Sequence, residues 1–511
     1  MGLGDGGINV AAGANLGVTS AIGGSGALSK GGAGTLTLHA DNVYAGGTRI
    51  TAGTLQLGTG GTAGAIVGDV ANNGALAFNR SDTYTFGGQI SGSGAVTQMG
   101  SGTTVLTADN RYTGLTTIAA GALQLGAGGA TGGIVGDVVN NGSLIVNRGN
   151  TYAYGGAISG SGSVTLQGGG ATVLTGDSNY TGGTLISAST LQLGAGGTTG
   201  SILGDVTNNG ALVFNRSDTY AHGGAIVGSG SLTQQGGGTT VLTADNRYTG
   251  GTMISAGALQ LGAGGTTGSI TGDVSNNGAL VFNRGDAYTF GGLVNGSGTL
   301  TQAGAGVTVL TVPITPIPAA PPFPGTLRLG DGGTSGSVRG DILNNAALAV
   351  DRGDLVSMMN LISGAGSFTQ AGAGQTVLSA NNAYTGTTEA LKGSLYINGD
   401  QSAATGATVV RAPATLGGNG IIGGDVSVAG TLSPGGATGG PGTLTINGKL
   451  TLDGGARLAY SFGQAGVVGG PLNDLTIVKG DLVLGGKLDV VTSPGYASIQ
   501  ASTGLSATVA R

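Results

Sequence analysis

Few residues in this 511-residue chain could do chemistry, and their spacing argues against most of it. There are two histidines and no cysteine. His39 stands 68 positions before Thr107, with Thr175, Thr243 and Ser379 continuing the series, and His222 keeps the same spacing with Phe86, Tyr154, Phe290 and Met358. Both therefore read as variants of a repeat. A metal needs several His, Cys or carboxylate groups converging, and no such grouping is spaced here, so no metal and no cofactor are expected. Gly176-Asp177-Ser178 spells the nucleophile triplet of some serine proteases, yet it aligns with Ala108-Asp109-Asn110 and has no suitably placed histidine. Gly-x-Gly-x-x-Gly matches arise by chance where Gly is 114 of 511 residues, and none opens a helix. No catalytic residue is expected.

Two other sets repeat. Asp69, Asp137, Asp205, Asp273 and Asp341 come once per period and are expected to cap a turn at a strand end. Arg284-Gly285-Asp286 and Arg352-Gly353-Asp354 spell the integrin-binding tripeptide, and form the one candidate cell-attachment site. The same site reads Arg80-Ser81-Asp82, Arg148-Gly149-Asn150 and Arg216-Ser217-Asp218 elsewhere, so drift of a turn sequence also produces it.

These residues are positioned by a period of 68. Leu-x-Leu-Gly falls at Leu55, Leu123, Leu191 and Leu259, with Leu327 and a diverged copy at Leu395 following. Asn-Asn keeps the step at Asn72, Asn140, Asn208, Asn276 and Asn344. A unit of short β-type runs cut by Gly and Asn points to a stacked solenoid, in which each unit buries its apolar face on its neighbours. Within one unit the apolar runs alternate, as in Leu55-Gln-Leu57 and Leu76-Ala-Phe78, which marks strands with one face inward. Short primed turns do not recur, so the strands are expected to stack in parallel. Dividing 68 by three gives roughly 22–23 residues per coil. Phe78, Val146, Phe214, Phe282 and Val350 accept only apolar types and read as core. The Asn-Asn-Gly corners are expected in the left-handed region.

Composition agrees. Of 23 acidic residues only Glu389 is Glu, which with the glycine content disfavours helix. Net charge is −5 with no basic stripe, so nucleic acid is not an expected partner. No apolar run approaches the ~20 residues of a membrane helix. One copy departs from the pattern: Thr311 to Thr326 reads TVPITPIPAAPPFPGT and holds six of the eleven prolines. Read one nucleotide back, the degenerate codons of Pro313–Pro324 permit ADNPYTGGTTIS, the motif of the sister copies, so this copy reads as lying between two compensating frameshifts. A polyproline-like bulge over 312–324, and preferred protease cleavage there, are expected because proline donates no ladder bond.

The motif GAGTLTLHADNVYAGGTRITAGTLQLG (Gly32–Gly58) recurs as GTTVLTADNRYTGLTTIAAGALQLG and in three further copies. It resembles the autotransporter-associated β-strand (passenger-associated transport) repeat of bacterial autotransporter passengers. The stretch from Leu416, LGGNGIIGGDVSVAGTLSPGG, resembles the final passenger segment before a translocator barrel. The resemblance implies an all-β, right-handed parallel β-helix (β-solenoid) built from 68-residue repeats. It implies tandem repeats over 1–400, with the proline-rich segment 312–324, and a C-terminal passenger segment over 401–511. It further implies a cell-surface or extracellular, outer-membrane-associated, non-enzymatic stalk for adhesion, autoaggregation or display. Its partners would be host-cell or neighbouring-cell surface molecules or glycans. Neither a signal peptide at Met1 nor a barrel with aromatic girdles is visible. The missing translocator barrel is thus a further expected partner, unless the chain is a fragment. A carbohydrate-active enzyme on the same fold is the rival class, because folds do not fix functions; a nonfunctional remnant is the third.

Overall fold

The computed structural model describes residues 6–314, 325–464 and 466–492, and no helix occurs among them. The chain divides into two units: Met1–Leu259 with Gly268–Thr271, and Gln260–Thr267 with Gly272–Arg511. Each is a parallel β-solenoid. In the first unit Thr85 pairs with Val105, and the ladder continues through Gln124, Ile145, Thr165, Leu185, Thr207, Val227 and Arg247. In the second, Thr289, Val309, Arg328, Ala349, Thr369, Glu389 and Val409 stack in the same way. Beyond Val409 the steps become uneven, first shorter and then longer, through Ser427, Thr451 and Val483.

The strands follow from alternation. In Thr54–Leu57, Leu55 and Leu57 are buried while Thr54 and Gln56 are half-buried, and Ala122–Leu125 and Thr190–Leu193 repeat the pattern. Phe78, Val146, Phe214, Phe282 and Val350 all lie in the core, as expected of positions that accept only apolar residues. Burying one such side chain is worth about 1.5–3 kcal/mol, and every coil contributes several. Tyr44, Tyr112, Tyr180, Tyr248 and Tyr384 are also buried. Each pairs its hydroxyl with a threonine four residues on, Tyr44 with Thr48 at 2.7 Å and Tyr384 with Thr388 at 2.6 Å. Burial pushes the Tyr44 hydroxyl up to about 12.

The coil is shorter than 68 divided by three. Eight steps carry the ladder from Thr85 to Arg247. Each step takes about 20 residues, the separation at which Asp69 accepts a hydrogen bond from Gln89 on the next coil. One 68-residue copy therefore winds three coils and about a third. Leu55, Leu123 and Leu191 accordingly lie in three different sheets, and each stacks on strands of another motif segment. The reason is economy of chain. Short strands joined by tight turns close a three-sided coil before the next copy of the motif begins.

The corners also differ from expectation. No non-glycine residue among those described has positive φ, and Gly74, Gly142 and Gly210 are not left-handed either. Instead the buried Asn72 amide donates to the Ala95 carbonyl one coil on (2.8 Å) and its Oδ1 accepts from Gly74 N (3.2 Å). Asn140 and Asn208 do the same. Beside this corner runs a glycine column. A Cβ on Gly94 would lie 2.3 Å from the Gly74 carbonyl oxygen, and one on Gly114 2.3 Å from that of Gly94. Close stacking of coils thus accounts for much of the glycine.

In the proline-bearing copy, Pro313–Ile314 forms a short strand paired in parallel with Val294 and with Ser337–Val338. The expected bulge and its cleavage concern mainly 315–324, which lie outside the described residues.

Candidate functional site

The most elaborate polar cluster of each copy is an arginine clasp at the tripeptide turn. Arg80 is 6% exposed. Its Nε and Nη2 donate to the two carboxylate oxygens of Asp82 (3.0 and 2.8 Å), its Nη1 donates to Asp41 Oδ1 (3.1 Å), and Nη2 also reaches the Thr62 carbonyl. The guanidinium lies 4.9 Å from the centroid of the Tyr84 ring, a stacked cation. Asp41 Oδ1 accepts in addition from Gly64 N (3.0 Å) and Ala65 N (2.8 Å). The exposed glycine loop before Ile66 is thereby tied at its base. The Ala65 amide, against the opposing effect of burial, and then Arg80 hold the Asp41 carboxyl below its ordinary range.

In the first unit Arg148 repeats the arrangement with Asp109 (3.0 Å), Asn150 (3.1 Å) and Tyr152, and Arg216 with Asp218, Tyr220 and a longer approach to Asp177 (3.6 Å). In the second unit Arg284 binds Asp286 twice (2.9 and 2.8 Å) over Tyr288, and Arg352 binds Asp354 (2.8 and 2.6 Å). The copy at Arg352 is plainer. Val356 stands where the others have tyrosine, and Pro313 where they have the distant aspartate. Arg352 Nη1 turns instead to the Gly336 carbonyl (3.1 Å).

Both candidate attachment tripeptides are thus clasp turns. Arg284 is 6% exposed, and the hydrogen bonds from their own arginines hold the Asp286 and Asp354 carboxyls below the usual range. Gly285 N and Gly353 N each donate to a glycine-loop carbonyl at 2.7 Å, as Ser81 N and Ser217 N do at 2.9 Å. Glycine and serine copies thus share this bond, although a Cβ on Gly285 as it stands would lie 2.7 Å from the Gly264 carbonyl oxygen.

The remaining candidates fall in the scaffold. Asp69 accepts from the backbone N of Gln89 (2.8 Å), Asp137 from Ala157 (2.8 Å), and Asp205, Asp273 and Asp341 from Ala225, Leu293 and Leu361. Each caps a strand one coil on. Ser178 Oγ is buried and accepts from Ile158 N (3.1 Å), the position at which Asn110 accepts from Ile90 N (2.9 Å). His39 is half-buried, and His222 lies in the core. Among the described residues no group of three or more His, Cys, Asp or Glu is placed to hold a metal. The clasp itself escaped the sequence reading. Its signal was available: Asp and Arg 39 positions apart recur at 41/80, 109/148 and 177/216, and the aspartate is missing only where proline intrudes.

The comparisons bear on the repeat. The passenger-associated-transport-repeat model matches residues 28–57, 96–125, 159–193, 232–261 and 368–397. The proline run lies between the last two matches. Over 136 residues the chain is 53% identical to the adhesin BmaC autotransporter of Brucella suis biovar 1 (strain 1330). That stretch covers 26% of this chain and 4% of the relative. No solved structure matches the chain. The chain thus carries five passenger-associated-transport repeats and, over about a quarter of its length, is similar to an autotransporter adhesin of which the match spans only 4%.

Proposed function

We propose that the chain is a non-enzymatic passenger stalk, displayed at the cell surface or released, that mediates adhesion or autoaggregation. Its partners would be surface molecules or glycans of host or neighbouring cells, and its export would rely on a translocator barrel, toward which residues 401–511 would lead. The observation that carries this reading is the phase of the repeat. Because each copy advances a third of a turn beyond three coils, equivalent exposed loops such as Gly60–Thr62, Gly128–Ala130 and Gly196–Thr198 point in three directions in the first unit. Weak equivalent contacts presented around the coil suit multivalent attachment, where linkage turns modest affinities into avidity. The relative's being an adhesin supports the same reading. The tripeptides at Arg284 and Arg352 remain proposed attachment points, subject to their clasps opening.

The test is display on a non-adherent bacterium, scoring attachment to host cells and settling of the culture. Attachment or settling above the undisplayed control is expected. Purified chain that instead turns over a polysaccharide, with activity lost on a single Asp substitution, overturns the proposal in favour of an enzyme.

A further inference from the structure

We propose that His222 is an acid-sensitive weak point built into the first unit, at which protonation of one core imidazole loosens the coils from about 202 to 242. The ring ends the strand Thr219–His222, points inward and is 1% exposed. It packs against Phe214 (ring centroids 6.2 Å apart) and Tyr220 (6.3 Å), and Leu242 pairs with it on the next coil. Nδ1 lies 3.4 Å from the Tyr220 hydroxyl, while Nε2 makes no hydrogen bond. The Ile202 backbone, which would favour a charged ring, is already engaged by Tyr220 Oη, donating to its carbonyl at 2.7 Å. Of the ionisable groups around it, Asp205 favours the imidazolium but is committed to Ala225 N. Tyr220 is neutral, and Arg216 lies against the Tyr220 ring, 5.0 Å from its centroid, in its own ion pair with Asp218. A charge arriving on the ring is cut off from bulk solvent, and what Asp205 and the shared Ile202 backbone return is outweighed by burial.

Burial, the dominant cause, lowers the imidazole pKa from 6.5 to about 4. The sign follows. Above 6.5 the ring is neutral in the folded and unfolded chain alike. Between about 6.5 and 4 the unfolded chain takes up a proton that the folded one refuses, so stability falls with pH. The other copies carry Phe86, Tyr154, Phe290 and Met358, all buried, so only this copy has the property.

The experiment is hydrogen exchange on the full chain at pH 7 and pH 5, read as protection factors. Protection of amides in 202–242 should fall about 20-fold, the ratio expected of one such proton. Amides around Phe290 and Met358 should change much less. His222→Phe, the residue two sister copies use, should abolish the difference, and His222→Met serves if the phenylalanine packs poorly. An equal loss in the His222→Phe and His222→Met chains, or an equal loss around Phe290, overturns the proposal.

Discussion

The clasp at Arg148 and the clasp at Arg352 are built on the same turn and differ in what surrounds it. Arg148 has a distant aspartate, Asp109, and a tyrosine face, Tyr152, while Arg352 has neither and leans on a backbone carbonyl. Yet both arginines keep their bond to the residue two places on and to the glycine-loop carbonyl. The bond two places on therefore forms the turn, the loop carbonyl 18 residues back ties it to the preceding coil in both copies, and the aspartate 39 residues back reaches one coil further. Loss of that further reach in one copy is tolerated because a solenoid's stability is a sum over neighbouring interfaces.

This comparison can be broken in several ways. The largest effect is expected from Arg148→Ala, which removes a buried cation together with its stacked ring contact. It should lower unfolding stability by about 3 kcal/mol, whereas Arg352→Ala should cost nearer 1. Denaturant midpoints of the two variants decide it, and equal losses mean that the distant aspartate and the tyrosine contribute nothing. Next comes Asp109→Ala. It frees Gly132 N (3.0 Å) and Arg148 Nη1, and is expected to cost about 1 kcal/mol, since the carboxylate is half exposed and solvent-screened. Exchange of the Gly132 amide should rise in this variant while that of Gly336 does not.

A pH dependence sharpens the same point. The carboxyls of Asp82, Asp218, Asp286 and Asp354 are held low, first by the hydrogen bond from their arginine. Their contribution is present above the ordinary carboxylate range and is lost as pH falls through their depressed values. The clasp at Arg148, whose near partner is Asn150, lacks this component, so its turn should stay protected to lower pH than that at Arg284. The smallest effect is expected of Gly285→Ser, about 0.5 kcal/mol: its Cβ would start 2.7 Å from the Gly264 carbonyl oxygen, and the turn must relax to the form that takes serine at Ser81 and Ser217. The substitution destroys an attachment tripeptide while sparing the fold. If attachment of displayed chain drops with the Gly285→Ser and Gly353→Ser pair, the tripeptides carry recognition; unchanged attachment places it elsewhere on the coil.

Much of the fold was legible because alternation and burial are local. Leu55-Gln-Leu57 announces an inward face, and the restriction at Phe78 and its equivalents announces a core. The Asp69 series was readable as capping, although the partner amide lies 20 residues on rather than in the same turn. What the sequence conceals is pairing between coils. No residue marks where a coil closes, so the period of the sequence and that of the structure come apart, 68 against about 20. The Asn-Asn-Gly corner misled for the same reason. Asn72 and Gly74 resemble a left-handed turn, but the Ala95 carbonyl above supplies the bond that makes one unnecessary. The Asp41–Arg80 pair, joined across coils, has no local signature either.

The central claim is that a coil closes well short of a third of a copy, from which the rotation of equivalent surfaces follows. Since the chain has no cysteine, it is tested by introducing pairs and oxidising them. Thr165 and Leu185 are in register on adjacent strands, both facing outward, a separation within the ~4.4–6.8 Å that a disulfide spans between Cα atoms. Thr165→Cys with Leu185→Cys should crosslink readily, and Thr165→Cys with Ser187→Cys should not. Preferential crosslinking of 165 with 187 would mean a longer coil that closes three times per copy, with every repeat facing the same way, and would contradict the account.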